Sequence, residues 1–561
     1  MERTKPVGGN LLYGEEPVNR RKFLQCGASA LAIGAGFPLL GCRDNSTIDA
    51  AFSPYTHDPV RAGNFTNPLF IPGAEGPFGV LNVTDVPLTL KARAATFPIL
   101  DGKPSPFLLY ETSSGGKSYQ NPIFKIKRGG SFATTLENGL DEPTIIHWHG
   151  LHVPANMDGH PIDSISPGAN YPYEFTVNNR GGTYWYHTHA HHLTAKQAYG
   201  GLASFFIVED DDDLRLTSAL DLKLGKTDLP LVIQDKRFNA AGELVYEPEA
   251  NERMMGYLGD IVLVNLTPNA YLEVGQRIYR FRCLNGSNAR IYKLAFMRGK
   301  ELLAYQVIGT DGGLLDRPYS TKEAFLAPGE RLDVLFDASL MRQRDVVFLK
   351  SLAFDTMEND GAMRMMGSSN MSSESSMESS HGALRLDDGL EFNLLKLLVT
   401  KAAQPPRSMP ARLSQVEPID TKQAKNRSIR LEMGHMRWLI NGETFRPDAF
   451  PIDAQRNTVE VWSLHNAKQS MPHPMHMHGF QFQVLERQNS PKQIKTLGVH
   501  GSGRTVSDLG WKDTVLVWPG ETVRLAVDFS HQFDGNQTYV FHCHNLEHED
   551  SDMMVNMRVQ T

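Results

Sequence analysis

The chain has 561 residues, 41% of them hydrophobic, with 56 Lys+Arg against 63 Asp+Glu for a net charge of -7. That length suits about three to four domains, and the mildly acidic balance without a dominant basic tract argues against a nucleic-acid partner. Its cysteines, Cys26, Cys42, Cys283 and Cys543, are too few and too scattered for a disulfide framework.

Residues 19–24 read Asn-Arg-Arg-Lys-Phe-Leu and lead into a Gly/Ala-rich apolar stretch ending at Leu40. Paired arginines before a short apolar region mark a twin-arginine export signal, which implies a periplasmic protein and makes the export machinery a partner. Leu39-Leu40-Gly41-Cys42 is similar to a lipobox, so residues 1–42 are assigned to the signal. Cys42 is then a candidate lipidated, membrane-attached N-terminus, with simple cleavage nearby as the alternative. Residues 43–80, rich in Pro, Gly and Asn, form an extended lead-in. No later stretch approaches the ~20 apolar residues of a membrane span.

From Val86 short alternating runs are broken by Gly, Pro, Asn and Asp, as in Ile123-Phe-Lys-Ile-Lys, Tyr173-Glu-Phe-Thr-Val and Leu202-Ala-Ser-Phe-Phe-Ile-Val. This spacing marks sandwiches or small barrels rather than βαβ units, so an all-β protein is expected. The boundaries read as a first domain over 81–215, a second over 226–400, a linker over 401–426 and a third domain over 427–561. The acidic run 209–213 reads as a solvated linker. Cys283 lies in the alternating Tyr279-Arg-Phe-Arg-Cys-Leu and is expected to be a buried, small apolar residue.

Twenty histidines in 561 residues give roughly 0.7 His-x-His pairs by chance. This chain carries His147-Trp-His149, His187-Thr-His189, His476-Met-His478 and His542-Cys-His544, with His473 three residues before the third pair. Imidazoles at i and i+2 of a strand share a face, which suits neighbouring metals. In the last pair Cys543 points the other way. With His548 five residues on and Met553 five beyond that, it makes the soft mixed donor set of a blue-copper centre.

The motifs HWHG at 147–150, YWYHTH at 184–189, HPMHMHG at 473–479 and HCHNLEHEDSDM at 542–553 resemble those of bacterial three-domain multicopper oxidases, of the laccase-like or copper-efflux kind. The resemblance covers the chain from about Val86 and implies three consecutive cupredoxin-like Greek-key β-sandwich domains holding four coppers. It implies a type 1 copper on His473, Cys543 and His548 with Met553 axial, and a type 2 copper on His147 and His476. One type 3 copper would take His149, His187 and His544, and the other His189, His478 and His542. His191 and His192 fall outside this register, and spacing favours Met553 over Met554. The implied reaction takes single electrons from a reductant and reduces O2 to water, with Asp158 and Glu549 at positions that feed protons in similar enzymes. A monomer is expected.

Residues 353–381 hold six methionines and eight serines, and thioethers select Cu(I). Met357, Asp360, Met363, Met365, Met366 and Met471 are candidates for capturing cuprous substrate, as in oxidases of copper homeostasis. Two features depart from the copper-efflux pattern: the Met-rich insert falls at the end of the second domain, and Gln469 stands where an acidic ligand is expected. A laccase-like oxidase of phenols, aromatic amines or Mn(II), with electrons arriving at an exposed edge of His473 or His548, is the alternative. A non-enzymatic copper carrier or cell-division relative is disfavoured because every ligand is kept.

Overall fold

The alternating runs become strands, among them Ile123–Lys127, Asn170–Thr176 and Ala203–Glu209. The computed structural model describes residues 63–561 apart from 101–102, 359–385, 402–404, 406 and 500. The export signal, Cys26, Cys42, Asp360, Met363, Met365 and Met366 lie outside the described residues. About 48% of the structure is strand and 10% helix. No helix among the described residues is long and apolar enough to cross a membrane.

Among the described residues the strands form six sheets that fall in pairs along the chain. A six- and a five-stranded sheet span 76–209, a seven- and an eight-stranded sheet span 67–401, and two five-stranded sheets span 425–560. Every sheet mixes antiparallel neighbours with a parallel pairing, for instance Leu88–Leu100 with Ser131–Gly139 and Lys425–Gly434 with Val459–Asn466. A parallel pair cannot be closed by a hairpin, so its connection crosses to the facing sheet, which is the Greek-key way of building a sandwich. Each pair encloses its own apolar core.

Cys283 is fully buried in the second core. Its strand, Ile278–Asn285, is buried on both faces despite the alternation, because Arg280 and Arg282 on the second face are paired rather than solvated. Arg280 reaches Asp213 at 2.6 Å and Asp333 at 2.5 Å, and Arg282 grips Asp228 through both oxygens at 2.7 and 2.8 Å.

That network corrects the reading of the acidic run. Residues 209–213 do not form a solvated linker: Glu209 ends the strand Ala203–Glu209 and 211–213 open the helix Asp211–Leu220, capped by the Asp210 carboxylate accepting from Asp213 N at 2.9 Å. Carboxylates in a first turn offset the helix dipole, and Asp213 is buried against the arginines. The lead-in also contributes strands, with Asn67–Pro68 pairing Ala270 and Tyr271, and Gly76–Pro77 pairing Tyr119 and Gln120.

Candidate metal centre

Two cross-strand registers build the centre. Ile146–His147 pairs with Gly182–Thr188 so that His147 stands opposite His187. His473–Met477 pairs with Gln537–Cys543 so that His476 stands opposite His542 and Met475 opposite Cys543. Tyr539-Val-Phe makes the latter strand a strong β-former. The two halves come from the first and third sandwiches.

Eight imidazoles from 147–189 and 476–544 meet at this junction, and all are buried. His147 Nε2 lies 3.3 Å from His476 Nε2, and His149 Nδ1 lies 3.4 Å from His187 Nε2. His542 Nε2 lies 3.4 Å from His189 Nε2 and 3.1 Å from His478 Nε2. The His544 ring sits 5.0 Å from that of His149 and 5.3 Å from that of His187, and neither of its nitrogens has a protein partner.

The opposite edges of these rings are tied down. His147 Nδ1 donates to Asp158 O at 2.8 Å, His187 Nδ1 to Thr188 O at 2.8 Å, His476 Nδ1 to Asp513 O at 2.9 Å and His542 Nδ1 to Cys543 O at 3.0 Å. A carbonyl only accepts, so each of these rings carries its proton outward and turns its lone pair inward. Burial pushes the imidazoles down, His187 to about 3 and His542 to about 4, which keeps them neutral as ligands must be.

On the far side of Cys543 lies a smaller cluster. Cys543 Sγ is 3.5 Å from His473 Nδ1 and 3.5 Å from His548 Nδ1. Met553 shares the core of the third sandwich with Cys543, whereas Met554 packs on Phe445 and Val540. His548 comes from the short helix Leu546–Asp550. His191 and His192 sit outside both clusters, against Asp552 and the Asp550 carbonyl.

These spacings fit metal ions. Two nitrogens holding one ion at ~2.0 Å stand ~3.3 Å apart at a tetrahedral angle, and a sulfur at ~2.3 Å stands ~3.5 Å from such a nitrogen. Burial pushes the Cys543 thiol up, so the thiolate is stable here only beside a cation. Two imidazoles and one thiolate with a methionine in the same core match the donor set of a blue-copper site.

The carboxylates Asp158 and Glu549 both reach the imidazole cluster. Asp158 Oδ2 is 2.6 Å from His478 Nδ1, and Glu549 Oε2 is 3.2 Å from His542 Nδ1. Desolvation pushes both carboxyls up. Asp158 is placed by Gly159, whose φ of +85° ends the Ala155–Asp158 turn and whose missing Cβ would stand 1.9 Å from Ile146 O. Gly159→Ala is therefore expected to cost at least about 1–3 kcal/mol, read by chemical denaturation, and to lower retained copper.

Sequence reasoning overlooked several residues. Asp513 Oδ1 holds His149 Nε2 at 3.0 Å and Arg331 Nη1 at 2.8 Å, and Trp185 stacks on His187 at 4.2 Å. Nothing local marks Asp513, which is 364 residues from His149. The exposed imidazole edge expected at His473 or His548 is not there. Both rings are 0% exposed, because Ser470 Oγ covers His473 Nε2 at 3.0 Å and Met254 O accepts from His548 Nε2 at 2.9 Å. Met471 is half-buried against the third core, and Met357 half-buried near the turn at Asp355.

A soft mononuclear cluster joined by three consecutive residues to an imidazole cluster, on Greek-key sandwiches, defines a copper-dependent oxidoreductase. Multicopper oxidase family models match residues 111–213 and 409–561. The chain is 32% identical over 443 residues to the multicopper oxidase mco of Staphylococcus haemolyticus, covering 78% of this chain and 81% of that one. It is 30% identical to the laccase of Bacillus subtilis over 443 residues, 73% of this chain and 78% of that one. The crystal structure of the McoA multicopper oxidase of Aquifex aeolicus superposes with a TM-score of 0.77 at 39% identity, covering 88% of this chain and 99% of that one. The chain belongs to the multicopper oxidase family, and its fold is three consecutive cupredoxin-like sandwiches.

Proposed function

We propose that the chain is a periplasmic cuprous oxidase that protects against copper, with four coppers per chain. The observation that carries the oxidase reading is the Cys543 strand: its sulfur belongs to one cluster while His542 and His544 on either side belong to the other. His473, Cys543 and His548 would hold the mononuclear copper with Met553 as the further, thioether donor, His147 and His476 the type 2 ion, and His149, His187, His544 and His189, His478, His542 the type 3 pair. Bound there, copper supplies one-electron uptake from the reductant and four-electron reduction of O2 to water. The chain itself orients His147, His149, His187, His476, His478, His542 and His548 through an outer carbonyl or carboxylate. Asp158 and Glu549 flank the cluster from two sides, where they can hold and deliver the protons that water formation consumes.

Support for Cu(I) as reductant comes from the methionines of 353–381 and from Met471, two residues before His473 and packed on the third core, since thioethers prefer the cuprous ion. The twin-arginine stretch supports export. A laccase-like reading, with phenols or aromatic amines as reductants, is favoured by the similarity to laccases and by the exposed Gln469. The copper-loaded enzyme should contain four coppers and absorb at ~600 nm. Replacing residues 360–381 by a Gly/Ser linker separates the readings. Loss of Cu(I) oxidation with phenol oxidation kept or raised supports the cuprous oxidase, whereas unchanged rates on both support the laccase. The linker replacement spares Glu358, whose carboxylate accepts from Lys492 N and Gln493 N.

A further inference from the structure

No donor atom of the mononuclear cluster touches solvent. His473, Cys543 and His548 are all 0% exposed, and the outer nitrogens of both rings are already bonded. An electron bound for Cys543 must therefore cross a covering residue. Trp438 covers both rings: its centroid lies 4.8 Å from His473, edge-on at 72°, and 5.5 Å from His548. Trp438 Nε1 donates to Met254 O at 2.7 Å, the same carbonyl that accepts from His548 Nε2. Indole and imidazole are thus locked to one atom. That carbonyl is held in turn by the helix Ala250–Met255, whose capping box joins Glu249 and Glu252 and whose Glu252 binds Arg237 at 2.5 Å. Trp438 keeps 4% exposure where the rings beneath it keep none.

The hairpin that carries the indole also carries soft groups. Trp438 begins a hairpin in which Lys425–Gly434 turns back into Arg437–Ile440, with Met433 directly across from Trp438 and on the same face. Met433 is 39% and Met436 66% exposed. His435 and Met436 form the two-residue turn with φ of 50° and 61°. Such a turn is unstrained with Asn-Gly, whereas ordinary side chains in the left-handed region are disfavoured by the clash of Cβ with the following carbonyl. Strain of that kind concentrates at functional sites. Thioethers, an imidazole and an indole face together take a soft cation or a flat, electron-rich ring.

We propose that Trp438 is the residue through which reductants pass electrons to the mononuclear site, with the hairpin 433–438 as their landing surface. The inference rests on the copper-oxidase reading and names its point of electron access. Each encounter moves one electron and makes no bond. A cuprous donor leaves as Cu(II), while a phenol leaves as a radical with its proton lost to water. A copper held by His473, Cys543 and His548 would take up that electron, and Trp438 ends as it began.

The test uses copper-loaded enzyme and its Trp438→Phe and Trp438→Leu variants without O2. Bleaching of the blue band by bicinchoninate-bound Cu(I) and by 2,6-dimethoxyphenol is followed by stopped flow, beside the midpoint potential, the electron-spin resonance spectrum and the copper count. Trp438→Leu is expected to bleach about tenfold more slowly or worse with both reductants, at unchanged potential, spectrum and copper content. Trp438→Phe, which keeps a ring in place and guards against a leucine variant that fails to fold, should fall between. Bleaching at or above the wild-type rate in either variant overturns the proposal, as does slowing accompanied by a shifted potential, which marks a merely structural role. A fully loaded but colourless wild type overturns the oxidase reading and this proposal together; a blue wild type with fast-bleaching variants overturns this proposal alone.

Discussion

Cys543→Ser is expected to give a folded, colourless protein whose turnover falls by about 10³-fold or more, roughly 4 kcal/mol of barrier. The exchange is close in size, and the backbone bonds of the strand remain, including Cys543 N to Met553 O at 3.0 Å. What disappears is the thiolate. A buried serine hydroxyl does not ionise, so the site keeps two imidazoles and a thioether and loses the donor responsible for the blue colour. The imidazole cluster should keep its copper, because His542 and His544 stay on the other face of the strand and the outward bond of His542 runs to a backbone carbonyl at residue 543 that serine also carries. Visible spectra, metal analysis and an oxygen electrode check the three parts of this result. Blue colour with retained oxygen consumption would show that the reductant site does not depend on Cys543.

How legible the molecule is depends on how far each partner lies along the chain. Period-two alternation announces the strands at 123–127 and 170–176, and each of the four ligand-bearing His-x-His motifs sends both rings to one cluster although its strand ends inside the motif, at His147, Thr188, Met477 or Cys543. Alternation alone would group His191 with His189; the family register sets it apart, and the structure leaves that ring on Asp552. Residues whose meaning comes from distant partners are illegible. The run at 209–213 has the composition of a solvated linker, and only Arg280, 67 residues past Asp213, turns it into a buried helix start. Trp438 looks like any core aromatic in a strand until the fold lays it over two rings and one carbonyl. The covered edges of His473 and His548 have the same origin, because the group sealing His548 is the backbone of Met254, 294 residues away. A carbonyl has no side-chain signature to read.

Asp513→Ala is the other change with a large expected effect, and it acts on stability and metal retention by separate routes. The carboxylate binds Arg331 through both oxygens, and Arg331 is buried. With Asp513 gone, the guanidinium keeps Asp311 at 3.8 Å and the carbonyls of Thr183, Gly329 and Asp311, and no carboxylate in hydrogen-bond contact. Removing one partner of a buried pair typically costs about 3–5 kcal/mol. His149 also loses the closer of two partners at its outer nitrogen, keeping Thr514 Oγ1 at 3.3 Å, and loss of such an orienting partner typically weakens metal binding about 10–100-fold. His476 is spared, since its acceptor is the backbone carbonyl of residue 513. The double variant Arg331→Met/Asp513→Leu separates the two routes. Replacing both members of a buried pair by apolar groups is often close to neutral for stability, so denaturation of the metal-free double variant should return toward wild type. His149 remains without its carboxylate partner, so copper should still be lost to a chelator faster than from wild type. Recovery of both properties together would mean that the carboxylate acts on the copper site only by holding the fold.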